Sequence, residues 1–305
     1  MKWIRRSTIG GAVSFAVFLG LLPWVGEGAT VSIDCAVTSI RSSLPSLRPG
    51  DTLRVSGVCN EDVFIGETFS NITLDGQGAA KIIGQDPVGE AVRIQGARAI
   101  TLRGFVITGT REGIAVLRGA IALIDNNTIE NLEGGAGGQV PVSGSGIFVG
   151  PWAFARIINN TIQNNREFGI LVRENSSARI GFLTTDNPTA LPNTIQNNRM
   201  GGIAVSRSSN ARIVGNTINN NGGDGILVNK GSHADIAANH INGNSGDGIH
   251  VTGNSGVDTI VSSGEHPLFA LPNDTTVLNG GFGLGCSIGG MPVAGLGLST
   301  EVRAR

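Results

Sequence analysis

The chain has 305 residues, 40% of them hydrophobic and 15% charged, with 47 glycines and a formal net charge of −1. So even a balance, with no polybasic run, excludes the electrostatic footprint of a nucleic-acid binder or a membrane-surface protein. The length allows one elongated domain or two compact ones.

Residues 1–29 read as a secretory signal peptide. Lys2, Arg5 and Arg6 precede an apolar run from Ala12 to Leu22, and Gly26-Glu-Gly-Ala29 offers small residues for cleavage. The run is too short to span a bilayer well, so no membrane span is expected once the signal is removed. Losing Lys2, Arg5, Arg6 and Glu27 from the 22 basic and 23 acidic residues leaves 19 and 22, a net charge of −3. A secreted or periplasmic destination permits disulfides, and Cys35 and Cys59 are predicted to pair as an N-terminal staple. Cys286 then remains as a buried thiol.

Residues 30–62 are predicted to form a cap. Thr30 to Ile33 alternates as a strand; Ile40, Leu44 and Leu47 form a short helical stripe, cut by Pro45 and ended by Pro49-Gly50-Asp51. A further strand follows from Asp51 to Val55. A helix and strand ahead of repeats would cover apolar core at the open end of a stack.

The repeats occupy residues 63–290, degenerate at first and then insistent. G-I-x-V opens at Gly113, Gly146, Gly169, Gly202, Gly225 and Gly248, at intervals of 33, 23, 33, 23 and 23 residues. The unit is therefore 23 residues, with ten-residue insertions at Glu133–Ser143 and Phe182–Leu191. N-x-I recurs at Asn127, Asn160, Asn193, Asn216 and Asn239, and A-x-I at Ala155, Ala178, Ala211 and Ala234. Three strand-like phrases per period describe a solenoid of about 23-residue coils. Within G-I-x-V, Ile and Val point inward and x outward, because side chains alternate along a strand. One coil alone cannot bury them, but coils stacked about 4.8 Å apart can.

Asn127, Asn160, Asn193, Asn216 and Asn239 mark one turn; Asn165, Asn198, Asn221 and Asn244 mark another. These asparagines and the glycine opening each G-I-x-V are expected to accommodate left-handed backbone, the amides also bonding from coil to coil. Ala190-Leu-Pro-Asn193 returns as Ala270-Leu-Pro-Asn273. Residues 291–305 are expected to close the far end and fray.

On these N-x-I and G-I-x-V phrases the chain, from about Val31 to Cys286, resembles the right-handed parallel β-helix proteins of the pectin-lyase-like superfamily. The resemblance implies an all-β, single-stranded right-handed parallel β-helix with a short N-terminal capping helix. It implies no single activity, since the class holds lyases, hydrolases, epimerases, adhesins and NosD-type accessory proteins of copper sites. The chain lacks the Asp-Asp pair of polygalacturonases, the D-P-H-D of alginate epimerases and the R-x-P-x-x-R of pectate lyases.

Stacking nevertheless assembles candidates. Asp224 and Asp247 each precede the Gly of a G-I-x-V, 23 residues apart, and His250 is the outward x beside Asp247. Such a set suits acid–base catalysis of glycoside cleavage, with His250 transferring protons; Asp224 and Asp247 could equally hold a cation such as Ca²⁺. The alternative is a turn in which Asp bonds its own backbone. In A-x-I the outward residues are Arg156, Arg179 and Arg212, followed by Asp235. Three stacked guanidinium groups suit an anionic polymer, unless they splay into solvent toward nearby acids. Trp152 with Phe148 or Phe168 offers a stacking platform for sugar rings, or packs beneath the Glu133–Ser143 insertion.

His233, His240, His250 and His266 lack H-x-x-H spacing, and only Met200 and Met291 follow the signal segment, which weakens a copper site. The expectation is a monomeric secreted protein that binds, and as an enzyme would cleave, an acidic polysaccharide, with no obligatory cofactor. The alternatives are a non-catalytic extracellular or envelope scaffold and a NosD-like periplasmic accessory protein.

Overall fold

The structure, a computed structural model, describes residues 28–109, 111–133, 144–184, 189–258, 273–274, 279, 284–288 and 291–292. Residues 1–27 of the signal segment, residues 134–143 and 185–188 of the predicted insertions, and the tail beyond Pro292 lie outside the described residues. Among these residues the strands form a ten-stranded and a sixteen-stranded sheet, parallel except for one antiparallel pair, Leu284–Ile288 with Met291–Pro292.

Each later coil lays one strand on each of three faces. Face one, the ten-stranded sheet, includes Ile147–Val149, Phe168–Arg173, Gly201–Ser206, Ile226–Val228 and Ile249–Thr252. Face two holds Phe154–Ile158, Ser177–Ile180, Asn210–Val214, His233–Ala237 and Gly256–Asp258. Face three holds Thr128–Glu130, Thr161–Gln163, Thr194–Gln196, Thr217–Asn219 and His240–Asn242. Faces two and three merge in the early coils. The long strand Ile100–Thr108 pairs at its start with Ile121–Asp125 and at its end with Thr128–Glu130, bending at Gly104, whose φ is +71°.

The register stacks like on like, as the phrases demand. Ile147, Ile170, Ile203, Ile226 and Ile249 form one inward column, and Val149, Val172, Val205 and Val228 another. Every one of these is buried, together with Ile157, Ile180, Ile213 and Ile236 of face two and Ile129, Ile162, Ile195, Ile218 and Ile241 of face three, in one continuous core. Each contributes about 1.5–3 kcal/mol by leaving water. Phe182 seeds a small satellite cluster with Val214 and Ala237.

The corners are closed by buried ladders. Asn193 shows the pattern: Nδ2 donates to Ile157 O and to Asn216 Oδ1, both at 2.8 Å, while its Oδ1 accepts from Asn160 N and Nδ2, both at 3.0 Å. The column continues to Asn273, and the second ladder runs from Asn165 to Asn279. A third corner, which the sequence reading missed, uses serine: Ser176, Ser209, Ser232 and Ser255 accept from the backbone N–H of the coil before. Its spelling, S-x-A, is short and is blurred by the neighbouring Ser177 and Ser208.

Two expectations about backbone are corrected. The ladder asparagines are not left-handed; except at Asn193, which follows Pro192, the residue before each is, at Asn126, Asn159, Asn164, Asn197, Gly215, Asn220, Ala238 and Gly243. Where asparagines are paired, they divide the work, the first turning the chain and the second bonding the ladder. The glycines that open G-I-x-V are not left-handed either. They are glycine for space: a Cβ on Gly202 would collide with Ile218 Cγ2 and lie 2.5 Å from the Gly225 carbonyl oxygen.

At the N-terminus Ile40, Leu44 and Leu47 are buried against the first coil. The Glu61 carboxylate accepts from Ile40 N and Arg41 N at 2.7 and 3.0 Å, capping the helix Ile40–Ser43 with negative charge. Cys35 and Cys59 are joined by a disulfide. The parallel pairing already runs through this segment, since Thr30–Asp34 pairs with Thr52–Ser56, which pairs with Thr73–Ile83.

Candidate functional site

Face one brings Asp224, Asp247 and His250 together. The strands Ile226–Val228 and Ile249–Thr252 lie side by side with His250 opposite Leu227, and each Asp stands just before its strand's glycine. His250 Nδ1 is 3.1 Å from Asp224 Oδ2 and 3.6 Å from Asp247 Oδ2. Asp224 Oδ1 accepts the Asp247 backbone N–H at 2.8 Å. Asp224 therefore spends one oxygen fixing the next coil and the other orienting the imidazole. A proton on Nδ1 shared with that carboxylate places the ring's basic lone pair on Nε2. The side chains are 20%, 16% and 28% exposed, enough for contact with solvent and too little for free rotation.

The column that ends in Asp224 and Asp247 carries Phe168 and Gly201 in the preceding coils. The Phe168 ring lies across Gly201, where an added Cβ would come within 2.9 Å of its Cε1. An aromatic ring thus lies one coil before the carboxylates, on their own face.

The arginines stand on face two. Arg156, Arg179 and Arg212 are paired in register, followed by Asp235 and then Asp258. Arg156 lies over the Phe154 ring at 5.4 Å and Arg179 over Phe182 at 6.0 Å, so apolar rings hold two guanidinium groups at the surface. Arg156 Nε is buried with no hydrogen-bond partner among the described residues. Arg212 Nε donates to Asp235 Oδ2 at 2.7 Å.

The aromatic platform is divided by a corner. Phe148 faces outward on face one beneath Arg173, whose guanidinium is 5.1 Å from the ring centre. Trp152 sits at the turn toward face two, left-handed at φ +55° and 70% exposed. Among the described residues no ring contact joins the two. The same corner carries Arg207, Lys230 and Glu174, with Arg207 paired to Glu174. Carboxylates, arginines and aromatics therefore occupy two neighbouring faces and the edge between them.

A second histidine cluster escaped the sequence reading. His233 Nε2 on face two lies 3.3 Å from Asp235 Oδ1 and 3.4 Å from Asp258 Oδ2. The signal was present: extending the A-x-I column by 23 residues from Asp235 reaches Asp258, but the phrase there has decayed to Val257-Asp-Thr.

A cation at Asp224 and Asp247 would find two carboxylates and an imidazole nitrogen. Ca²⁺ takes six to eight oxygens, so this donor set, with its one nitrogen, suits a Zn²⁺-type ion better than Ca²⁺. Among the described residues no helix is long and apolar enough to cross a membrane. A surface depression of about 550 Å³ lies elsewhere, along the corner of Asn164, Arg166, Asn197 and Arg199.

Among solved structures, the pectate lyase Pel9A is similar with a TM-score of 0.56 at 11% identity, over 87% of this chain and 78% of that one. The A-module of the mannuronan C-5 epimerase AlgE6 from Azotobacter vinelandii gives a TM-score of 0.45 at 14% identity, over 85% and 77%. At such identities the likeness to Pel9A is one of fold. No curated protein matches the chain. The family model described as the right handed beta helix region matches residues 90–263, more than half of the sequence. The chain belongs to the right-handed β-helix family.

Proposed function

We propose that this is an exported protein that binds an acidic polysaccharide and cleaves it by acid–base catalysis at Asp224, Asp247 and His250. The observation that carries the reading is the convergence of the three side chains, with His250 Nδ1 at 3.1 Å from Asp224 and 3.6 Å from Asp247. Asp224 holds His250 in one orientation and tautomer. His250 and Asp247 then divide the work: one takes a proton from the sugar or from water, and the other returns a proton to the departing glycosidic oxygen. Phe168, spread over Gly201, supplies an apolar face for a neighbouring sugar ring. Arg156, Arg179 and Arg212 hold acid groups of the polymer, which crosses the corner past Arg207 and Lys230. The Cys35–Cys59 disulfide and the signal segment fit an oxidising compartment.

The test is a panel of polyuronates and sulfated glycans, followed by binding, by release of reducing ends and by absorbance of unsaturated ends. Wild type is expected to bind and turn over at least one. His250→Ala, and Asp224→Asn with Asp247→Asn, should retain binding and lose turnover by about 100-fold or more. Binding without turnover in the wild type removes the catalytic half. Absence of binding across the panel removes the whole reading and favours a rigid extracellular scaffold.

A further inference from the structure

His233, Asp235 and Asp258 lie at the end of the arginine column, where its sign reverses. A row of arginines suited to a polyanion runs directly into two carboxylates in adjacent coils. Left bare, those carboxylates would repel the ligand that Arg156, Arg179 and Arg212 attract. Arg212 holds Asp235 Oδ2 at 2.7 Å, and His233 stands against both carboxylates.

The distances indicate what the cluster could hold. A good N–H···O bond measures about 2.7–3.2 Å. His233 Nε2 stands at 3.3 Å from Asp235 Oδ1 and 3.4 Å from Asp258 Oδ2, nearly equal and both beyond that range. Ligands about 2.0–2.1 Å from a four-coordinate ion are about 3.4 Å apart along the tetrahedron's edges. The three donor atoms all lie within 4.8 Å of one another, as do those of Asp224, Asp247 and His250. The cluster on face one differs, because its 3.1 Å and 3.6 Å contacts describe one hydrogen bond and one looser neighbour.

The supporting bonds follow the same logic. Asp235 presents Oδ1 to the cluster while Arg212 holds Oδ2, as a ligating carboxylate is held by an outer hydrogen bond. The backbone sets the rest: Asp235 and Asp258 are paired in register on neighbouring strands, and His233 is two residues from Asp235, so all three project from one face. An imidazole nitrogen with two carboxylate oxygens is a mixed donor set suited to Zn²⁺ and similar ions.

We propose that His233, Asp235 and Asp258 bind a divalent cation of the Zn²⁺ type, whose remaining positions face solvent and accept a further acid group of the bound polysaccharide. The ion neutralises the two carboxylates and extends the anion-binding column past Arg212. The identity of the acid group depends on the polysaccharide reading above; the ion site does not.

The experiment uses the full chain stripped of metal. Zn²⁺ binding is measured by calorimetry and Co²⁺ by visible absorption, in the wild type, His233→Ala, Asp258→Asn and the distant pair Asp224→Asn with His250→Ala. The first two change exposed side chains, and circular dichroism checks that they fold. The wild type is expected to bind Zn²⁺ and to give the intense visible bands of four-coordinate Co²⁺. His233→Ala and Asp258→Asn should each weaken binding at least about tenfold, while the distant pair leaves it unchanged. No binding by the wild type, or a loss confined to the distant pair, overturns the site. In parallel, polyuronate affinity is compared with and without Zn²⁺, and a gain of about tenfold that His233→Ala abolishes is expected. Zn²⁺ binding with no such gain overturns the ligand role of the ion. Zn²⁺ binding with no polyuronate binding in either state overturns the polysaccharide reading and leaves the ion site standing.

Discussion

Face two carries two charge ladders built by opposite rules. In the early coils Arg54, Asp75, Arg103 and Asp125 share one column with alternating sign, and Arg103 meets Asp75 at 2.8 Å. In the central coils, one column over, Arg156, Arg179 and Arg212 stack with a single sign. The spacing is about 4.8 Å in both. Alternation is what folding alone would favour, since each charge finds its opposite in the next coil. A run of one sign costs about 1 kcal/mol per neighbouring pair even in water-like surroundings. The early ladder is therefore explained by the scaffold. The central one departs from that rule: Arg156 and Arg179 lie over phenylalanine rings, Arg179 Nη1 donates to the Leu183 carbonyl at 3.2 Å, and Arg212 pairs with Asp235.

The contrast can be broken in graded steps. The largest effect should come from the scaffold common to both regions. Asn193→Ala leaves the Asn160 amide and the Ile157 carbonyl short of partners in a dry corner, and should lower unfolding free energy by about 3 kcal/mol in denaturant titrations. A loss below about 1 kcal/mol would mean that water replaces the amide, and that the corner is not dry. Next comes Arg179→Glu, which converts the central column to alternating sign. Polyuronate affinity should fall at least tenfold, equivalent to about 1.4 kcal/mol, while the melting temperature holds or rises. If affinity survives this substitution, the arginines are not the anion contact. The smallest effect is expected from Asp75→Arg, which gives the early ladder one sign. Stability should drop by about 1 kcal/mol at low salt and recover as salt screens the repulsion. An unchanged melting temperature would mean that these side chains splay apart, and the same would then hold for the central arginines.

Much of this architecture could be read from the chain because a solenoid repeats its physics every coil. Ile170 and Val172 announce an inward pair, and six copies of the phrase place that pair in a column before any coordinate is known. The asparagines announce corners for the same reason. What periodicity cannot convey is which physical demand a residue answers. Gly202 reads as a turn former, yet it is glycine because the Ile218 methyl and the Gly225 carbonyl occupy the space a Cβ would need. Nor does a period reveal which side chains a corner keeps apart. Arg212 and Asp224 are close in sequence and belong to the same coil, but a corner separates their surfaces. The Asp224–Asp247–His250 cluster was legible because its coils keep their spelling. His233, Asp235 and Asp258 were not, because Val257-Asp-Thr no longer spells the phrase that holds the column.

The inter-coil hydrogen bonds, backbone and asparagine alike, run along the axis of the rod. Tension applied between its ends therefore loads the interfaces in series. Each interface must carry the full force, so the one with the fewest bonds yields first, and the rod lengthens in steps of one coil. Force applied across the axis instead bears on several coils together, which share it. A protein built this way is strongest when held along its flank, the surface on which its charged columns lie, and weakest when pulled from its tips.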